Sequence, residues 1–132
     1  CLFFQGCNYS LTGETGNLPS PMYPGTVPRG QFCSWSITVA PGYQVSLTFG
    51  VFSSSGNDSE QLEVFDGGNE TAPTLDVFTG NNPPPAFGVN STSNQMFIVF
   101  RSTSKPVASI NSGNFYARYT SKGILKYFFI VR

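Results

Sequence analysis

Residues 33–52 read CSWSITVAPGYQVSLTFGVF. Apolar and polar residues alternate on either side of a break at Ala40-Pro41-Gly42. Cys33, Trp35, Ile37 and Val39 fall on one side of an extended chain, with Ser34, Ser36 and Thr38 on the other. The second run groups Val45, Leu47, Phe49 and Val51 against Ser46, Thr48 and Gly50. Successive side chains of a strand point to opposite faces, so this period of two predicts two strands, each with one buried and one wet face. The turn and the phase together predict that the two pair as a hairpin.

The same pattern continues downstream. LEVF at 62–65 runs into Asp66-Gly67-Gly68, a hairpin turn signal, and TLDVFT at 74–79 follows as the next strand. GNNPPP at 80–85 forces an irregular connection. QMFIVF at 95–100 places Met96, Ile98 and Phe100 inward, yet Phe97 and Val99 are apolar too. That strand is either covered on both faces or turns its second face to a partner. GNFYARYT at 113–120 sets Phe115, Ala117 and Tyr119 on one side. Short strands, Gly/Pro/Asn turns and no helical period predict an all-β fold, a two-sheet antiparallel β-sandwich. Thirteen phenylalanines supply rings to fill the space between two such sheets.

Upstream lies GNLPSPMYPG at 16–25. Three prolines in six residues remove backbone donors and fix φ, which excludes a helix interior and a central strand. The stretch is nevertheless too apolar for a flexible linker.

Composition excludes several functions. Length 132 gives one domain with room for a core. Charged residues make up 11%, the formal net charge is zero, and the cations are scattered singly. Nucleic acid and anionic membrane surfaces call for clustered Lys and Arg, so neither is an expected partner. No apolar run approaches the ~20 residues of a membrane span. There is no signal peptide at the start, as in a mature or trimmed chain. The absence of histidine removes Ser-His and Cys-His nucleophiles, His-ligated zinc and the usual base near neutral pH. Six of seven carboxylates lie between Asp58 and Asp76, in one strand and its flanking loops. An enzyme is not expected.

Four Asn-X-Ser/Thr triplets, at Asn8, Asn57, Asn69 and Asn90, sit in turn-like sequence. They point to a secreted glycoprotein, although a chain rich in Asn, Ser and Thr supplies such triplets by composition as well. Three cysteines, at 1, 7 and 33, allow one disulfide with one thiol left over. Cys7 with Cys33 would close a loop of about 26 residues, for which the chain-entropy account gives ~3 kcal/mol. Cys1, at the chain end, is the natural leftover, either free or bridged to another chain.

Taken in order, these pieces resemble the CUB domain, an extracellular two-sheet β-sandwich of jelly-roll type. The resemblance runs from Cys7 to Tyr119. It is carried by Cys7, Gly16, Leu18-Pro19-Ser20-Pro21-Met22-Tyr23-Pro24, Cys33-Ser34-Trp35 with Ile37, and Leu47, Phe49 and Phe52. Further along it rests on Leu62-Glu63-Val64-Phe65-Asp66-Gly67, Phe97-Ile98-Val99-Phe100 with Ser102, and Gly113 to Tyr119. The resemblance implies that Cys7 and Cys33 are joined. It also implies that the SPMYP segment crosses the sandwich edge with its tyrosine packed, covering the domain without extending a ladder.

Two departures from the family stand out. No cysteine follows Cys33, so the usual second disulfide is missing. The positions that correspond to the family's calcium ligands are Ser53, Glu60 and Thr103, of which one is a carboxylate. Ca²⁺ takes six to eight oxygens with several charges, and this set falls short, with Asp58 the nearby carboxylate that could join it. No cofactor is therefore expected, calcium included.

The resemblance implies a binding module, because a fold does not name a ligand. The domain plan is an extension at 1–6, the CUB-like unit at 7–119 and an apolar tail at 120–132. Within the tail, Ile124, Leu125, Tyr127, Phe128, Phe129 and Ile130 are apolar on both faces of a strand. They would pack on their own domain, add to a strand edge of another chain, or begin a further domain. With Cys1 they make self-association one expectation. The leading function is a non-catalytic extracellular protein-binding or assembly module. The alternative is a small secreted carbohydrate-binding protein using Tyr9, Tyr43 and Tyr116 for stacking.

Overall fold

The computed structural model describes residues 7–19, 32–54, 60–79, 82–102 and 113–123. Among them are nine strands: β1 (Cys7–Thr12), β2 (Thr15–Pro19), β3 (Phe32–Thr38), β4 (Tyr43–Ser54), β5 (Glu60–Phe65), β6 (Thr74–Phe78), β7 (Val89–Asn90), β8 (Gln95–Ser102) and β9 (Gly113–Gly123). They form a five-stranded sheet, β1-β3-β8-β5-β6, and a four-stranded sheet, β2-β9-β4-β7. Every ladder is antiparallel except β1–β3, which is parallel.

The inward faces of both sheets meet in one core. Trp35 and Ile37 of β3, Met96, Ile98 and Phe100 of β8, and Leu62 and Val64 of β5 come from the first sheet. Leu18 of β2, Val45 and Leu47 of β4, and Phe115, Ala117 and Tyr119 of β9 come from the second. Rings interlock edge to face across the middle: Trp35 on Phe115 at 5.9 Å and Phe49 on Phe78 at 5.7 Å. Such aromatic pairs add to the area they bury. The period-two reading of β3, β8 and β9 thus holds.

The expected hairpin of β3 and β4 does not form. A tight turn joins them, closed by Tyr43 N–H donating to Ala40 O at 3.1 Å, yet β3 pairs with β1 and β8 while β4 pairs with β7 and β9. Both strands bury their apolar faces, so the chain folds β4 over β3 instead of beside it. Alternation specifies a buried face and leaves the edge partner open.

A second correction lies within β4. The register with β9 shifts between Phe49 and Val51, after which Val51 pairs with Tyr116 and Phe52 with Phe115. One inserted residue at Gly50 reverses the parity of everything after it. Phe52 packs against the core, edge to face on Phe49 at 5.9 Å.

The opening of the proline-rich stretch, excluded from a central strand by its prolines, lies on a sheet edge. Gly16-Asn17-Leu18-Pro19 extends a ladder, as part of β2 along β9. It does so on an edge, where a proline forfeits no ladder bond. Gly16 is required there because a Cβ would come within 2.4 Å of the Tyr119 ring. Ser20 to Pro24, including Tyr23, lie outside the described residues.

β5 and β6 pair as expected, joined by residues 66–73. Asp66 N–H donates to Pro73 O at 2.8 Å to close that loop. β9 continues to Gly123, pairing with Tyr43, so residues 120–123 of the anticipated tail prolong the strand.

Candidate functional site

Cys7 and Cys33 are direct Cα partners in the parallel β1–β3 ladder. Neighbouring strands lie ~4.8 Å apart, inside the span a disulfide bridges. Cys33 is buried in the core and disulfide-bonded. Cys1 lies outside the described residues.

The three described sequon asparagines are all exposed but differ in partners. Asn8, on edge strand β1, accepts at Oδ1 from Ser34 Oγ at 2.6 Å. Asn69, in the 66–73 loop, accepts at Oδ1 from Thr71 N–H at 2.9 Å and from the Thr71 hydroxyl. Asn90, on edge strand β7, pairs in register with Ser46. Asn57 lies outside the described residues.

Of the positions expected to correspond to calcium ligands, Ser53 and Glu60 fall on different sheets. Ser53 pairs with Asn114 in the four-stranded sheet, and Glu60 pairs with Ser102 in the five-stranded sheet. Thr103 lies outside the described residues. Of these positions Glu60 alone is a carboxylate, and Asp58, the neighbouring one, lies outside the described residues. Among the described residues no three His, Cys, Asp or Glu side chains group to hold a metal.

Sequence reasoning missed the groups that dress the two outer faces. On the five-stranded sheet, Arg101 of β8 bonds Glu63 of β5 at 2.7 Å and Glu70 at 3.2 Å. Its guanidinium also lies 5.1 Å from the Phe32 ring centroid. The register carries the signal, since Arg101 follows Val99 by two and Val99 faces Glu63. Val99 itself is 0% exposed on this outer face, and Phe65 is buried near Phe97 at 6.1 Å. At Val99, therefore, β8 is covered on both faces.

The four-stranded sheet presents Asn17, Arg118 and Thr48 in one row and Thr15, Thr120 and Ser46 in the next. The two sheets are tied at one end by Asp66, which accepts Thr92 N–H at 2.9 Å and the Thr92 hydroxyl at 2.7 Å. Of the tyrosines considered for stacking, Tyr9 is 51% and Tyr43 44% exposed, whereas Tyr116 is half-buried. Tyr9 already stacks on Trp35 at 6.2 Å. Residues 124–130 lie outside the described residues. Among the described residues no helix is long and apolar enough to cross a membrane.

Two sheets over one aromatic core, a parallel Cys7–Cys33 edge and dressed outer faces define a β-sandwich module. The sequence pattern of the CUB domain fits residues 7–119, and the chain belongs to that family. It is 35% identical over 118 residues to the zinc metalloproteinase nas-39 of Caenorhabditis elegans, covering 87% of this chain and 12% of that protein. It is 35% identical over 124 residues to cubilin of Canis lupus familiaris, covering 89% of this chain and 3% of that protein. The solved CUB1-EGF-CUB2 domains of rat MASP-1 superpose with a TM-score of 0.75 at 24% identity, over 89% of this chain and 43% of that one. The chain thus spans a small part of the curated relatives it resembles. CUB relatives are mostly extracellular or secreted.

Proposed function

We propose that the chain is a non-catalytic extracellular module for protein binding or assembly, acting through its sandwich faces and the apolar segment 124–130. The observation that carries this is that a CUB unit accounts for most of this chain and for only 12% and 3% of two long relatives. A unit reused inside long chains supplies contacts, while chemistry resides elsewhere. The lack of histidine agrees, because zinc proteolysis needs ligands this chain does not have.

In this reading Cys7 and Cys33 form the domain's disulfide, Cys1 bridges to another chain, and the sequons carry glycans. Calcium takes no part, for want of charge at Ser53, Glu60 and Thr103. Size-exclusion chromatography with light scattering tests the assembly arm on the full chain. The expected result is a mass above one chain without reductant, lowered by Cys1→Ser and by Phe128→Ser with Phe129→Ser. A single-chain mass that none of these changes alters contradicts self-assembly.

The carbohydrate-binding reading draws on the exposure of Tyr9 and Tyr43. A glycan array separates it: sugar-inhibitable binding to defined glycans, lost in Tyr43→Ala, would favour a lectin, and no binding would favour the protein module.

A further inference from the structure

Phe87 is the most exposed large apolar side chain among the described residues, at 84%. It does not hang on a loose loop. Gly88 N–H donates to Pro85 O at 3.1 Å, closing a turn around Ala86 and Phe87. Gly88 then takes φ +82, with a would-be Cβ 2.1 Å from Leu47 O and 2.9 Å from Thr48 Cγ2. The backbone is therefore clamped against β4 at Leu47 and Thr48. A ring left in water gains nothing from folding, so any group that covers it adds the stabilisation of the apolar area it buries.

Three residues on is Asn90, whose sequon is Asn90-Ser91-Thr92. Its backbone is held as firmly. Asn90 pairs with Ser46, Ser91 N–H donates to Val45 O at 2.9 Å, and Val45 N–H donates to the buried Ser91 hydroxyl at 2.8 Å. Thr92 is bound to Asp66 through both its N–H and its hydroxyl. Asn90 shares the outer face with Ser46, because Val45 and Leu47 point into the core. Asn90 is exposed, and its side chain makes no hydrogen bond to a described residue; Asn8 and Asn69 use only Oδ1, as acceptors, so all three leave Nδ2, the atom a glycan takes, unbonded among the described residues.

Phe87 and Asn90 thus lie along the same edge of β4, one beyond Thr48 and one beside Ser46. Residues two apart on a strand are separated by ~6.6 Å, and three residues of chain reach at most ~10 Å. A pyranose ring carried on an asparagine amide spans that gap. The first sugar of an N-linked glycan is N-acetylglucosamine, which has one face made of C–H groups. Such a face packs on the negative face of an aromatic ring.

We propose that Asn90 is glycosylated and that its first N-acetylglucosamine lies on the Phe87 ring, covering it and stabilising the fold. In the transfer, Asn90 Nδ2 bonds to the anomeric carbon of a polyprenyl-pyrophosphate-linked oligosaccharide. The bond from that carbon to the pyrophosphate oxygen breaks, the lipid pyrophosphate leaves, and the amide gives up one proton. No redox partner is needed. The inference rests on the extracellular reading above, since only the secretory route makes the transfer.

The test is a double-mutant cycle on protein secreted from cells restricted to oligomannose glycans. Endoglycosidase H then trims each glycan to a single N-acetylglucosamine. Asn90→Gln should lower Tm by about 2–5 °C when Phe87 is present and by under about 1 °C in the Phe87→Ala background. The C–H protons of the Asn90 sugar should also be shifted upfield by the ring, and Phe87→Ala should abolish that shift. Both side chains are exposed, so neither substitution threatens folding. Equal drops in the two backgrounds, or an unshifted sugar, overturn the proposal. Glycans on Asn8, Asn57 or Asn69 with none on Asn90 overturn it and leave the extracellular reading standing. Four bare asparagines overturn both.

Discussion

The outer faces of the two sheets are built to opposite rules. On the five-stranded sheet, Val99 and Phe65 are buried, and Arg101, Glu63, Glu70 and Phe32 are tied to one another. On the four-stranded sheet, Thr15, Asn17, Thr48, Arg118 and Thr120 are exposed. The difference follows from position. β8 is the central strand of its sheet, flanked by β3 and β5, and carries apolar residues in both phases. β9 carries polar residues in its outward phase, so its sheet keeps one face wet. The first face is buried at Val99 and Phe65 and tied by ion pairs around them, and the second is polar along its described rows.

The comparison breaks most visibly at the core beneath both faces. Ile98→Ala, a truncation in the centre of β8, should cost about 2–5 kcal/mol in denaturant unfolding. Gly88→Ala should follow at about 1–3 kcal/mol or more, because a side chain there is strained at φ +82 and collides with Leu47 O. The faces themselves are contrasted by a pair of truncations. Val99→Ala should cost about 1–3 kcal/mol despite its outward phase. Thr120→Ala, exposed on the other sheet, should stay within about 0.5 kcal/mol. Equal effects would remove the distinction.

A smaller effect is expected at Arg101. Arg101→Ala should cost about 0.5–1 kcal/mol at low salt and less at high salt, since the pair with Glu63 is partly exposed and screened. The last expectation concerns pH. Burial raises the Tyr119 hydroxyl above its ordinary value near 10. A group whose pKa is raised by folding contributes fully below its unfolded value and loses that contribution as pH climbs through the folded one. Stability should therefore fall above about pH 10, and Tyr119→Phe should flatten that loss. The substitution also removes the hydroxyl's 3.4 Å bond to Gly13 O.

Much of this fold was legible in the sequence. The phases of β3, β8 and β9 gave their buried faces directly, because burial follows parity. Partner strands were less legible. β3 and β4 looked like a hairpin because a short turn joins them, but two half-buried strands can pack face to face as readily as edge to edge. The parity of Phe52 was hidden because a bulge at Gly50 leaves no composition signature beyond the glycine itself. β1 and β2 were missed since Asn8, Ser10, Gly16 and Asn17 carry little apolar pattern, and their places depend on ladders to distant strands. Phe87 showed nothing in sequence, as exposure is a tertiary property. The sequons were plain, but their different partners at Asn8, Asn69 and Asn90 were not.

The central claim is that this CUB domain works in an oxidising, extracellular setting, with its first strand stapled to its third. Peptide mapping without reduction tests this most directly. The account predicts one peptide pair joining Cys7 to Cys33, with Cys1 outside it. A Cys33 joined to Cys1, or Cys7 and Cys33 both recovered as free thiols, would contradict it.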